Sequence, residues 1–69
     1  MISVLVDAAL GTPCKPGDLL RKGQSVGKTP GNSETAMTAP CPGIVRSIVF
    51  QDENHVLEIF IEPMDNSIE

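Results

Sequence analysis

Residues that break regular structure punctuate this chain so closely that a long helix has no room to propagate. Ala8, Ala9 and Leu10 could open a helical turn, but Gly11, Pro13, Pro16 and Gly17 follow within seven positions. Glycine raises the entropy cost of helix, and proline removes a donor and clashes with the preceding turn. Pro30-Gly31 and Ala39-Pro40-Cys41-Pro42-Gly43 repeat the interruption further along. No window places apolar residues at i, i+3, i+4 and i+7 over three turns, whereas short β-prone runs alternate with turn signals at the spacing of small sandwiches and barrels. The expectation is an all-β fold. Residues 1–69 are expected to form one domain, because a chain this short has no room for a second core.

The strands can be placed from alternation. Ile2, Val4 and Val6 share one face of an opening strand, with Ser3, Leu5 and Asp7 on the other. Pro16-Gly17-Asp18 and Lys22-Gly23 read as tight turns on either side of Leu19-Leu20, and Pro30-Gly31 suits a type II turn at a hairpin tip. Ile44 to Phe50 is the most β-prone stretch and should begin a strand at Ile44. Gln51 to Asn54 reads as a polar turn. Beyond it, Leu57, Ile59 and Ile61 alternate with Glu58, Phe60 and Glu62, which predicts a last strand with its aliphatic members inward. Val4, Val6, Leu20, Val26, Val45, Ile48, Leu57, Ile59 and Ile61 form the predicted core.

Charge and composition exclude several functions. Five Lys and Arg against nine Asp and Glu give a net charge of −4, the wrong sign for tracking a phosphate backbone or an anionic bilayer. Phe50 and Phe60 are the only aromatics, so stacking on exposed bases has little to work with. No nucleic-acid partner and no membrane insertion are expected, since no apolar run approaches the roughly 20 residues that span a bilayer. Without a secretion-signal pattern at Met1-Ile2-Ser3-Val4, the expected location is cytoplasmic.

Groups able to do chemistry are sparse. His55, the only imidazole, falls in the polar turn, where a lone histidine is ordinarily just solvated. Asp52 and Glu53 are neighbours on that turn and diverge, instead of facing each other across a cleft. Gly27-Lys28-Thr29 lacks the upstream glycine of a phosphate-binding loop. Cys14 and Cys41 stand far apart in sequence, with only His55 to join them, which does not match a structural zinc site. They are expected to be free thiols in a reducing compartment. No catalytic residue and no metal site are assigned.

One ordered set of motifs stands above this background. Lys15-Pro16-Gly17-Asp18-Leu19-Leu20-Arg21-Lys22-Gly23-Gln24 is followed by a polar hairpin and then by Ala39-Pro40-Cys41-Pro42-Gly43-Ile44-Val45. Over residues 12–62 this order resembles the biotinyl/lipoyl-like domains, whose fold is a small barrel-sandwich hybrid of two antiparallel sheets. In carrier members of that family a lysine at the hairpin tip accepts biotin or lipoate. Counting from the two flanking motifs puts that position at Asn32 or Ser33, and neither side chain has an amine. Ala36-Met37 is similar to part of the biotin motif but is followed by Thr38 and lies too near Pro40 for the tip; Met37 is expected to pack inward.

With Pro30, Gly31, Asn32 and Ser33 at its tip, the short lysine-free hairpin is most similar to the unmodified modules in the A subunit of the sodium-translocating NADH:quinone reductase and the C subunit of the Rnf complex. The resemblance implies a non-enzymatic, cofactor-free interaction or scaffold module, with a protein partner that belongs to a redox or acyl-transfer complex. The alternative is a carrier in which Lys28, below the tip on the ascending strand, takes biotin or lipoate. Phe60 has two readings: an incidental exposed aromatic, or an anchor with Glu58 and Glu62 at its rim, docking a larger subunit along the edge of the last strand.

Overall fold

A computed structural model describes residues 1–64, apart from the side chain of Ser33. It contains six strands: β1 (Ile2–Asp7), β2 (Leu19–Leu20), β3 (Ser25–Thr29), β4 (Asn32–Thr38), β5 (Gly43–Gln51) and β6 (Val56–Pro63). Among the described residues there is no helix. β1, β6, β5 and β2, in that order, form an antiparallel sheet that curls into a half-barrel, and β3 pairs with β4 in a second, two-stranded antiparallel sheet. The all-β, two-sheet, barrel-like architecture expected from the sequence is therefore present.

The core lies between the two sheets. Val4, Val6, Leu20, Val26, Val45, Ile59 and Ile61 are buried there, joined by Cys14 and Ala39, while Ile48, Leu57 and Met37 are partly buried against them. Every member of the predicted core thus contributes, with Ile48 and Leu57 at its margin. Val45 and Ile48 are three positions apart, a spacing that strict alternation would send to opposite faces. A bulge between Val45 and Ser47 absorbs the extra residue, so Val45 faces Ile61 and Ile48 faces Ile59 on one inner surface. Close approach of the sheets depends on Gly27. An added Cβ there would sit 2.8 Å from the Val6 Cβ, and φ is +148°, a conformation that L side chains rarely adopt.

The two turn motifs are one device used twice. In Lys15-Pro16-Gly17-Asp18 the Asp18 N–H donates to the Lys15 carbonyl, while the Asp18 carboxylate accepts from the Lys15 N–H at 3.1 Å. In Arg21-Lys22-Gly23-Gln24 the Gln24 N–H donates to the Arg21 carbonyl, and the Gln24 side chain accepts from the Arg21 N–H at 2.9 Å. Gly17 (φ +96°) and Gly23 (φ +84°) supply the left-handed position of a type II turn. Each turn then docks in the same way. The Gly17 N–H donates to the Val45 carbonyl and the Val45 N–H to that of Asp18; Gly23, Ala39 and Gln24 repeat the pattern. The buried residues Val45 and Ala39 thereby satisfy both their backbone groups, each bond adding roughly 0.5–1.5 kcal/mol net.

Candidate functional sites on the hairpin and the outer sheet face

The β3–β4 hairpin turns at Pro30 and Gly31, while Asn32 and Ser33, read from the sequence as part of the tip, open β4. Thr29 faces Asn32 across a two-residue loop of Pro30 and Gly31, where proline presets the first turn position and Gly31, at φ +79°, takes the second. Asn32 is exposed, and its side-chain oxygen accepts from the Glu34 N–H at 3.2 Å, an Asx-type turn that stiffens the descending strand. Ser33 lies on β4, and its side chain is outside the described atoms. Lys28 sits on β3 opposite Ala36, two residues before the loop, and is half-buried. Its amine therefore starts below the apex. Met37 turns inward against the core.

The alternation read for β6 is present, with Ile59 and Ile61 fully buried and Glu58, Phe60 and Glu62 on the opposite face. Two features of that reading need correction. β6 is an interior strand, held between β1 and β5, so it has no edge to offer; the sequence alone does not reveal that the last strand returns to the middle of the sheet. Phe60 is also half-buried rather than freely exposed, because Ser3 on β1 and Ser47 on β5 flank it. Both rim carboxylates already have partners on β5. Glu58 accepts from the Gln51 amide at 2.8 Å, and Glu62 pairs with the Arg46 guanidinium.

Register defines what surrounds Phe60, since residues directly opposite in antiparallel strands share a face. On one side Leu19, Ile44 and Glu62 form a row across β2, β5 and β6; on the other, Val49, Glu58 and Leu5 form a row across β5, β6 and β1. Leu5, Leu19 and Val49 are exposed, and Ile44 is half-buried. The outer face thus carries five apolar side chains interrupted by two carboxylates, one paired with Arg46 and one hydrogen-bonded to Gln51. Leu5, Leu19, Ile44 and Val49 escape a sequence reading as one patch because they come from three strands, β1, β2 and β5, that only the sheet makes neighbours. The available clue is that in Leu19-Leu20 one of two adjacent leucines must face outward.

The remaining reactive groups form neither a disulfide nor a metal-binding cluster among the described residues. Cys14 is buried and Cys41 half-buried, both as free thiols. His55 is exposed in the β5–β6 turn at φ 55° and meets Phe50 edge-on, 5.7 Å between ring centroids. Among the described residues no three potential metal ligands cluster and no pocket opens. No helix there is long and apolar enough to cross a membrane. Comparison of the chain with known protein families, with curated proteins and with solved structures finds no match.

Proposed function

We propose that this chain is a cofactor-free, biotinyl/lipoyl-like module of the cytoplasm, a non-enzymatic scaffold that docks through the outer face of its four-stranded sheet onto a subunit of a redox or acyl-transfer complex. The observation behind this reading is the contrast between the two surfaces. The hairpin tip offers a peptide turn and an amide, while the outer face gathers Leu5, Leu19, Ile44, Val49 and Phe60 around one ion pair, Arg46 with Glu62, and a Glu58 carboxylate held by Gln51. Aromatic and aliphatic anchors with a polar rim are the usual source of binding energy at protein interfaces. The half-buried Lys28 supports the carrier alternative less well, since a swinging arm needs an amine free at the apex.

Two measurements test the proposal. The intact mass of protein from its native cells should equal that of the bare 7.3 kDa chain; an added cofactor mass that disappears in Lys28→Arg would establish the carrier reading. Partner recovery should fall in a Leu19→Lys, Val49→Lys double variant whose melting curve matches wild type. Equal recovery would remove the outer face from the interaction.

A further inference from the structure

We propose that the free edge of β1 pairs with β1 of a second copy, giving a two-fold dimer with one continuous eight-stranded sheet. The backbone of β1 has one satisfied side and one open side, and the hydrogen bonds identify which residues face each. The Ala8 N–H donates to His55 just beyond the β1–β6 ladder. Because bonded and non-bonded pairs alternate in antiparallel strands, Val6, Val4 and Ile2 direct their backbone groups at β6. Those of Ser3, Leu5 and Asp7 point away from it. The Asp7 carbonyl confirms this direction, since it accepts from the Gly11 N–H at 3.1 Å, outside the sheet. Among the described residues, the outward groups of Ser3 and Leu5 have no backbone partner, and both residues are exposed.

Proteins ordinarily blunt such edges with very short strands, bulges, proline or inward-pointing charge. The other edges here are blunted. β2 is two residues long, and the β3–β4 pair breaks register twice, with Lys28 on one strand and Glu34 on the other. β1 has none of these features. It holds an unbroken six-residue register with β6, and Ile2-Ser3-Val4-Leu5-Val6 contains no proline, glycine or charge.

A second copy fits this edge because the edge is complementary to itself. An antiparallel two-fold centred on Leu5 lets the two Leu5 residues exchange both backbone bonds and sets their exposed side chains against each other. Each Asp7 N–H then donates to the Ser3 carbonyl opposite, and the Ser3 hydroxyl faces the Asp7 carboxylate. No like charges are opposed across the pair; the Asp7 carbonyl, which already accepts from the Gly11 N–H, is shared with the Ser3 N–H opposite, so the central Leu5 pair is the strongest of the new contacts. Such a contact is isologous, so it closes at two copies. With −4 on each copy, the overall charges repel, and added salt should strengthen association by screening them.

Sedimentation equilibrium on the full chain, combined with amide exchange by NMR, tests the pairing. The mass should rise from 7.3 kDa toward twice that value with concentration. Leu5 and Asp7 amides should gain protection in parallel, while Val4 and Val6, already bonded to β6, stay protected throughout. Leu5→Lys opposes two charges at the two-fold, and Leu5→Pro deletes an N–H that β6 does not use. Each should weaken the dimer about tenfold or more, a difference of about 1.4 kcal/mol, with the β-type circular dichroism of Leu5→Lys retained. A mass fixed at the monomer value, or a dimer equally strong in Leu5→Lys, overturns the proposal. So does protection of Leu5 and Asp7 that appears only when a different protein is added, which would assign the edge to a foreign strand.

Discussion

Gly27→Ala isolates the closest approach between the two sheets. The new methyl group would lie 2.8 Å from the Val6 Cβ and 2.9 Å from its Cγ1, on a backbone at φ +148°. Forcing an L residue into positive φ costs about 1–2 kcal/mol, and overpacking a filled core adds about 1–3 kcal/mol. Loss of unfolded-state freedom returns only about 0.4–1 kcal/mol. The net destabilisation is therefore about 1–4.5 kcal/mol, centred near 3. At about 4–8 °C per kcal/mol for a domain of this size, the melting midpoint should fall by roughly 10–30 °C. Gly31→Ala is the matched control, because Gly31 also has positive φ, +79°, but an added Cβ meets nothing within 4 Å. It should lose only the conformational part. Thermal melts followed by circular dichroism measure both. If Gly27→Ala melts no lower than Gly31→Ala, the proximity of β3 to Val6 is wrong, and with it the way the hairpin closes the half-barrel.

Ile59→Ala, at a fully buried site, should cost about 2–5 kcal/mol. That is a large share of what a domain of this size holds at about 0.05–0.15 kcal/mol per residue, so the urea midpoint followed by far-ultraviolet circular dichroism should fall sharply; a folded, barely destabilised variant would place Ile59 outside the core. In urea titrations Gly23→Ala should lose about 1–2 kcal/mol, and Gln24→Ala about 0.5–1 kcal/mol because water can replace its side-chain bond to Arg21. Equal losses would mean the left-handed turn is absent. Phe60→Ser should lower stability by about 1–2 kcal/mol through its half-buried ring, whereas Leu19→Ser, on the same face but exposed, should stay within about 0.5 kcal/mol; calorimetry separates them.

Local chemistry was legible in the sequence wherever a single segment determined the outcome. Pro30-Gly31 specified its own turn, the breakers around Gly11 to Gly17 excluded a helix, and Ile59 and Ile61 were assigned inward by alternation. The reciprocal turns at Asp18 and Gln24 were visible as motifs, though not as the anchors of Val45 and Ala39, because that docking joins segments far apart in the chain. The same limit hid the apolar outer face and misplaced Phe60 at an edge. Which strands become neighbours is a property of the sheet, and a period of two within β6 says nothing about β1 or β5 beside it. The bulge after Val45 was implicit in assigning Val45 and Ile48 to one core, yet only the register gives it a location.

The meeting of β1 with β6 also governs how the molecule can form. Val4 finds its partner in Ile59, across nearly the whole described chain, so the ladder that holds β1 must close a large loop before any bond compensates for it. Local structure can appear early in the two four-residue turns ending at Asp18 and Gln24, in the β3–β4 hairpin and at the β5–β6 turn. Folding should then proceed on the millisecond-to-second scale of non-local β proteins. On the ribosome, which adds roughly 5–20 residues per second, β1 emerges seconds before its mate. For that interval both of its edges are open, and its five uncharged residues depend on their short length, and on the speed of synthesis, to avoid pairing with another chain.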